Sequence, residues 1–160
     1  MRKDTYIAVV GPSAATPAEH TQGEEVGRLI AEAGAVLVCG GLGGLMEAAA
    51  SGCAKAGGRS VGVLPGESRA GANPYLTTAV VTGMGEARNA IVVRTADAVI
   101  AVRGEFGTLS EIALALKMGK PVVGLGTWEL AKDGMPVDAI VRAESPADAV
   151  STALRLAAGR

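Results

Sequence analysis

The sequence predicts a doubly wound α/β domain built on a parallel sheet of six or seven strands. Two observations predict this fold: short β-branched runs alternate with longer segments of helical spacing, and the runs are almost continuously apolar. Continuous apolar runs are typical of strands that are buried on both faces of a parallel sheet. A length of 160 residues suits one such unit, so we assign residues 1–160 to a single domain.

Six runs predict strands, and a weaker seventh follows them. They are Tyr6–Val10, Val36–Cys39, Ser60–Leu64, Ala79–Val81, Ala98–Val102 and Pro121–Leu125, with Ala139–Val141 as the weaker one. Right-handed crossovers between parallel strands place helices against the sheet. The alternation therefore predicts a three-layer, Rossmann-like domain.

Helical segments separate these runs. At the start of the first segment, Thr16 caps the helix, Pro17 takes the first helical position and Glu19 completes a capping box. Gly34 ends this helix. Three other segments carry apolar faces at helical spacing. The faces are Leu45, Ala48, Ala49, Gly52, Cys53 and Ala56; Leu109, Ile112, Ala113 and Leu116; and Val150, Ala153, Leu154 and Ala157.

Composition argues against several functions. The formal net charge is −1 and no basic cluster occurs, so we expect no nucleic-acid partner. Aromatic residues make up 2% of the chain, which argues against base-stacking platforms and aromatic-walled pockets. Cys39 and Cys53 are predicted to pack as small hydrophobes. His20 is the one histidine of the sequence, so neither a metal site nor a histidine-based triad is expected.

No targeting or membrane signal is recognised. No apolar run reaches the roughly 18 residues that cross a membrane. The apolar stretch near the start ends at Gly11-Pro12, which is too short for a signal peptide. We therefore expect a cytoplasmic protein with no membrane partner. The longest polar loop, Pro65–Pro74, is a candidate lid.

Two strand-to-helix turns are rich in glycine. In the first, Gly40, Gly41, Gly43 and Gly44 surround Leu42, so backbone N–H groups at a helix start are exposed to an anion. The alternative is a tight turn that needs glycine for its conformation alone. The second turn, Arg103–Thr108, offers Gly104, Gly107 and Thr108 to a phosphate.

Two charged residues near these turns have open roles. Glu111 either completes a capping box with Thr108 or serves in the site. Arg88 is predicted in the first turn of the apolar helix around Ala90–Val93, where the helix dipole disfavours a cation. Its partner is either a ligand anion or the neighbouring Glu86.

Taken together, these stretches resemble the superfamily of the Lonely Guy (LOG) proteins and the molybdenum cofactor carrier proteins. The matching stretches are Gly40–Met46, Arg88-Asn89 and Arg103–Glu111, and the resemblance covers about residues 6–127. Pro74-Tyr75-Leu76, Gly85–Asn89 and Leu114–Pro121 look closer to the carrier branch. The resemblance implies a homodimer or homotetramer that binds a small phosphorylated ligand.

For the LOG enzymes, the resemblance implies hydrolysis of nucleoside 5′-monophosphates to base and ribose 5-phosphate. Arg88 and Glu111 match the catalytic pair, Gly104–Thr108 matches the phosphate loop, and no cofactor is required. A carboxylate beside the ribose would stabilise an oxocarbenium-like transition state or activate water.

The chain departs from the LOG pattern in the phosphate loop. Arg103 replaces a proline and Glu105 a glycine, while Asn89 replaces the lysine beside Arg88. An inward carboxylate at Glu105 would repel a phosphate, unless Arg103 offsets it or Glu105 points to solvent. We expect a phosphoribohydrolase. The alternatives are a non-enzymatic carrier whose bound ligand is molybdenum cofactor, and a nucleotide sensor or scaffold of the same fold.

Overall fold

The computed structural model describes residues 4–159, so residues 1–3 and 160 of the assigned domain lie outside the description. Seven strands form one parallel sheet in the order β4-β3-β2-β1-β5-β6-β9, and β7 pairs with β8 in an antiparallel hairpin. The strands are β1 Tyr6–Val10, β2 Val36–Cys39, β3 Arg59–Leu64, β4 Thr78–Val81, β5 Ala98–Val102, β6 Val122–Leu125, β7 Leu130–Lys132, β8 Met135–Val137 and β9 Val141–Arg142.

Five helices accompany the sheet. They are α1 Pro17–Glu32, α2 Leu45–Lys55, α3 Asn89–Thr95, α4 Phe106–Lys117 and α5 Pro146–Ala158, and a short 3₁₀ helix, Gly85–Arg88, precedes α3. At the start of α1, Thr16 and Glu19 form the predicted capping box. The three-layer, Rossmann-like α/β fold predicted from the sequence is confirmed.

The two faces of the sheet carry two separate apolar clusters because side chains alternate along each strand. On β1, Ile7 and Val9 join a cluster with residues of α1, α2 and α5. Ala8 and Val10, from the same strand, join a second cluster with residues of α3 and α4. All five residues of β5 are buried, which explains why the central strands are continuously apolar in sequence.

Helices α1 and α2 approach each other closely because glycine stands at their crossing. A Cβ at Gly27 would overlap the carbonyl oxygen of Ala49, and one at Gly52 would overlap that of Glu24. The two backbones are therefore in direct contact. This contact fixes α2, whose first residue Leu45 follows the glycine turn, against the buried face of the sheet.

The hairpin of β7 and β8 was not predicted from the sequence. Its strands are three residues each and mostly exposed, and one contains Pro136, so neither gives a buried-strand pattern. The weak seventh strand, predicted at Ala139–Val141, forms at Val141–Arg142 and pairs with β6. Of the other six predicted strands, three have the predicted bounds and three differ by one residue at their starts.

The crossing of α1 and α2 gives a first prediction. We expect Gly27→Ala to lower the free energy of unfolding by about 2–3 kcal/mol, because a buried backbone carbonyl cannot move aside cheaply. Urea unfolding followed by circular dichroism measures the change.

Gly23→Ala is the matched control on the same helix. Its added Cβ would meet a flexible methyl of Leu45 at 2.8 Å, and the gain in helix propensity offsets part of that cost. We expect a change below about 1 kcal/mol. Equal losses for the two variants would contradict the proposed backbone contact.

Candidate functional site

The candidate site lies at the carboxyl edge of the sheet. The chain runs outward from β1 through β2 and β3 to β4, then returns to β5 on the other side of β1. In open α/β sheets, the crevice at such a switch in strand order is where ligands bind. The loops after β1, β2 and β5 all reach this edge, and they include both glycine-rich turns.

In the first turn, two glycines are explained by the backbone alone. Gly41 and Gly44 have φ values of 78° and 64°, a region that favours glycine. A Cβ at Gly44 would also overlap the carbonyl oxygens of Pro12 and Ser13, in the loop after β1. The tight-turn interpretation therefore accounts for Gly41 and Gly44.

The other two glycines of this turn are different. A Cβ at Gly40 would lie 2.7 Å from Nη2 of Arg88, so Gly40 leaves room for that guanidinium. Gly43 has an ordinary φ, and the nearest atom to an added Cβ is a carboxylate oxygen of Glu47 at 3.8 Å. Neither conformation nor packing requires glycine at position 43.

Arg88 ends the 3₁₀ helix and is 9% exposed. Its Nη2 donates to the carbonyl oxygen of Gly40 at 3.4 Å, and its Nη1 contacts Oδ1 of Asn89. Within the described residues its buried Nε has no hydrogen-bond partner, and no ion pair joins it to Glu86. A buried guanidinium with a free donor is a candidate for binding an anion.

Glu111 lies in the second turn of α4 and is 8% exposed. Burial raises the pKa of its carboxyl to about 7, and the nearby positive charge of Arg88 opposes that rise. The structure therefore places Arg88 and Glu111 near each other, as the resemblance to the catalytic pair of the LOG enzymes implies. A carboxyl that changes charge near neutral pH is suited to proton transfer.

Polar side chains join the start of α3 to the start of α4. Nδ2 of Asn89 donates to Oγ of Ser110 at 3.5 Å, and that hydroxyl donates to the carbonyl oxygen of Gly107 at 2.7 Å. Asn89, which stands where LOG proteins have a lysine, thus contacts both Arg88 and α4. Sequence reasoning did not identify Asn89 or Ser110 as site residues.

The expected capping box of Thr108 and Glu111 is wrong. Helix α4 begins at Phe106, three residues earlier than that box requires, and its N-cap residue, Glu105, makes no capping hydrogen bond through its side chain. Among residues 4–159, no acceptor is found for the N–H groups of Phe106, Gly107 and Thr108. These free donors at a helix start favour an anion.

Gly104 makes room for the one side chain that is buried in this loop. Its φ is 99°, and a Cβ there would overlap the side chain of Thr108. Thr108 is consequently buried against the backbone at the end of β5. The glycine and the threonine therefore form one packing unit, and Gly107, with open space around it, leaves its N–H accessible.

The two departures in this loop do not place a carboxylate in the site. The side chain of Glu105 is exposed, whereas its carbonyl oxygen accepts hydrogen bonds from the N–H of Leu109 and from Nε1 of Trp128. Arg103 has a φ of 49°, which a proline cannot adopt, and its guanidinium lies against Gly126. At its first position, the loop thus has a backbone conformation that the proline of the LOG pattern could not adopt.

An aromatic pair adjoins the same loop, contrary to the expectation from composition. The rings of Phe106 and Trp128 have their centroids 5.6 Å apart at an interplanar angle of 37°. They are the single phenylalanine and the single tryptophan of the sequence. Because 21 residues separate them along the chain, no local pattern could reveal the contact.

A wide cleft lies beside Trp128 and not at Arg88. It has a volume of about 870 Å³ and opens between the β7–β8 hairpin and the ends of β6 and β9. Trp128, Leu130, Val137 and Ile140 give it an apolar wall, and Glu129, Asp138 and Arg142 contribute polar groups. The volume lies within the range of small-molecule sites.

The loop that was a candidate lid is attached at both ends. The N–H of Gly83 donates to the carbonyl oxygen of Gly66, while the buried Asn73 accepts from the N–H of Tyr75. Asn73 also donates to the glycine turn, through its N–H to Gly41 and its side chain to Leu42. Residues 66–71 and Pro74 of this loop are exposed.

Other candidate features carry no site in the part of the chain that is described. Cys39 and Cys53 are free and buried, as predicted, and burial raises the pKa of each thiol to about 11. His20 is on the surface of α1, near Glu24. No group of three or more potential ligands is placed to hold a metal ion within residues 4–159. No helix in that range is long and apolar enough to cross a bilayer.

The fold and the site define a Rossmann-like α/β protein with a candidate ligand site at the switch point of its sheet. The chain belongs to the SLOG cluster4 family, whose model matches residues 4–150. It is 41% identical, over 145 residues that make up 91% of each chain, to an uncharacterized protein from Archaeoglobus fulgidus.

Two solved structures are similar over almost their whole length. One is the molybdenum cofactor binding protein from Rippkaea orientalis, at 34% identity and a TM-score of 0.87, covering 98% of this chain and 99% of that one. The other is the Moco carrier protein from Chlamydomonas reinhardtii, at 32% identity and a TM-score of 0.86, covering 99% and 100%. The resemblance to the carrier branch is thus confirmed.

Burial of Glu111 predicts a specific dependence of stability on pH. Its pKa is about 7 in the folded chain against an ordinary value of 4.5, so the folded chain keeps a proton that the unfolded chain loses. The stability that the protonated Glu111 carboxyl contributes is therefore fully present below about pH 4.5 and is lost as the pH rises through 7. The full effect is about 3 kcal/mol.

The measurement compares the wild type with Glu111→Gln by urea unfolding at about pH 5 and pH 8. We expect the stability of the wild type relative to this variant to fall by about 2–3 kcal/mol between the two values. Glu86→Gln is the control, because Glu86 is exposed. If the difference between wild type and Glu111→Gln does not depend on pH, Glu111 does not retain its proton in the folded chain.

Proposed function

We propose that this protein binds molybdenum cofactor, a phosphate-bearing pterin, and holds it without changing it. The observation that carries the proposal is Arg88, a buried guanidinium whose Nε has no partner within the described residues. It lies at the same edge of the sheet as the uncapped start of α4. A phosphate supplies several acceptor oxygens and negative charge, which is what these donors lack.

In this proposal the start of α4 binds the phosphate. The N–H groups of Phe106, Gly107 and Thr108 are the donors, and the helix dipole favours the negative charge. Gly104 acts indirectly, because it allows Thr108 to pack beneath the loop. The exposed side chain of Glu105 leaves these donors unobstructed.

The four glycines of the first turn have different roles in the proposal. Gly41 and Gly44 shape the turn, and Gly40 admits the guanidinium of Arg88. Gly43 is the position where the backbone itself is open to a ligand, because an added Cβ meets nothing nearer than 3.8 Å. We therefore assign the ligand contact of this turn to Gly43.

The choice of a pterin over a nucleotide rests on the comparisons. The solved proteins from Rippkaea orientalis and Chlamydomonas reinhardtii are described as binding or carrying molybdenum cofactor, and each matches this chain over nearly its full length. The altered phosphate loop, with Arg103 and Glu105, favours the same choice, since it departs from the pattern of the LOG enzymes. By the same resemblance, we propose a homodimer or homotetramer.

The proposal predicts that purified protein retains molybdenum cofactor through gel filtration and releases it unaltered on denaturation. Arg88→Lys keeps the charge but removes the planar fork, so we expect it to weaken retention by at least about tenfold. Fluorescence of the oxidised pterin in the protein peak, with mass spectrometry of the released ligand, measures both.

Arg94→Lys is the control, since Arg94 is an exposed residue of the adjoining helix α3. It should retain the cofactor as the wild type does. Wild-type protein that leaves the column without cofactor, or that returns it chemically changed, would contradict the proposal.

A second function, hydrolysis of nucleoside 5′-monophosphates, is favoured by the burial of Glu111 beside Arg88. The N-glycosidic bond would break, a water oxygen would bond to C1′ of the ribose, and the base would leave with a proton. Ionised Glu111 would activate the water or stabilise the positive charge. The rate should then rise with pH through about 7, the pKa of Glu111.

This second function predicts release of free base from at least one member of a panel of nucleoside monophosphates. Chromatography of the products measures the rate, and Glu111→Gln should lower it by about 100-fold or more. Glu86→Gln should leave it unchanged. No release above that of Glu111→Gln on any substrate would exclude hydrolysis and leave the carrier function unaffected.

A further inference from the structure

We propose that Phe106, supported by Trp128, is the stacking platform for the planar head group of the bound ligand. This inference rests on the proposed function, because it concerns the head group of the ligand whose phosphate the start of α4 binds. It gives the aromatic pair a role in ligand specificity. The argument uses the exposure of Phe106, the anchoring of Trp128 and their position beside the free N–H groups.

The exposure of Phe106 is not explained by its local structure. Its side chain is 76% exposed, more than any other large hydrophobic residue in the described part of the chain. It occupies the first position of α4, where proline or small polar and acidic residues serve a helix start better. An apolar ring that faces solvent at such a position is suited to contact with another molecule.

Trp128 holds this ring from one side and is itself fixed. Its Nε1 donates to the carbonyl oxygen of Glu105 at 3.2 Å, directly before Phe106 in the chain. Its ring is partly buried against the cluster on the α3–α4 face. The tryptophan therefore orients Phe106 and leaves the other face of that ring free.

The loop that carries Trp128 is tied to the phosphate loop. The hydroxyl of Thr127 donates to the carbonyl oxygen of Arg103 at 2.6 Å, and the N–H of Arg103 donates to the carbonyl oxygen of Leu125 at 3.1 Å. Two hydrogen bonds thus join the loops after β5 and β6. A rigid aromatic surface loses little conformational entropy when a ligand stacks on it.

The position of the pair matches the two ends of a pterin phosphate. The free N–H groups of Phe106, Gly107 and Thr108 bind the phosphate in the proposed function, and the Phe106 ring belongs to the same residue as the first of them. Trp128 lines the cleft of about 870 Å³ and Phe106 does not, so the proposed stacking surface is separate from that cleft. The head group therefore has an aromatic face next to its anchored phosphate.

Fluorescence of Trp128 tests the proposal directly, because it is the one tryptophan of the sequence. A pterin absorbs where tryptophan emits, so a pterin stacked beside Trp128 quenches its emission. The two probes are neopterin monophosphate, which carries a pterin and has no N-glycosidic bond, and glycerol 3-phosphate, which carries the phosphate alone. Calorimetry gives the affinity of both probes.

We expect Phe106→Ala to weaken the binding of neopterin monophosphate at least about fivefold and to reduce the quenching of Trp128. The affinity for glycerol 3-phosphate should stay unchanged. Phe106→Tyr keeps an aromatic face and should retain wild-type affinity for both probes. Val80→Ala is the control, since Val80 is an exposed apolar residue on β4, at the opposite edge of the sheet. It should change neither affinity.

Three results would overturn the proposal. If Phe106→Ala binds both probes as the wild type does, the platform is wrong and the carrier function stands. If the wild type binds neither neopterin monophosphate nor molybdenum cofactor, both the platform and the carrier function are wrong. If Phe106→Ala lowers the oligomer mass in light scattering while both affinities are unchanged, Phe106 is a contact between copies of the chain.

Discussion

The site depends on one buried interaction, that of the Arg88 guanidinium with its neighbours Gly40, Asn89 and Glu111. An arginine does not lose its charge in a protein, so its burial is costly unless other groups compensate. A backbone carbonyl, an amide oxygen and a buried carboxyl lie around it, and still one of its nitrogens has no partner in the described structure. Incomplete compensation of a permanent charge is the reason we propose an anion site at this edge of the sheet.

Several features of the sequence follow from that interaction. Gly40 is glycine because the guanidinium occupies the space of its side chain. Asn89 and Ser110 hold α3 and α4 together, so the arginine on one side and the carboxyl on the other keep their relative positions. Glycine in this one turn thus has three different causes: backbone conformation at Gly41 and Gly44, space at Gly40, and openness at Gly43.

The sequence predicted what depends on periodicity and missed what depends on long-range contact. The central strands were recognised because burial on both faces makes them continuously apolar. The β7–β8 hairpin was missed because its short, exposed strands have no such pattern. The spacing of Thr108 and Glu111 suggested a capping box, but α4 starts at Phe106 and buries both side chains.

The site residues show the same division. Arg88 and Glu111 were proposed as site residues because each stands in a recognisable stretch, and the structure buries both and places them near each other. The low aromatic content argued against an aromatic wall, yet the fold gathers Phe106 and Trp128 at the ends of neighbouring strands. A composition describes the whole chain, whereas a site needs only one or two residues in the right place.

The anchoring of the loop after β3 has a consequence for how the chain tolerates changes in length. Its entry is held through Gly66 and its exit through the buried Asn73, while residues 67–71 between them are exposed. Exposed loop tips between fixed ends are where insertions and deletions are absorbed best. We therefore expect relatives of different length to differ in this loop. A tag or a domain inserted there should leave the geometry of the glycine turn beside Asn73 unchanged.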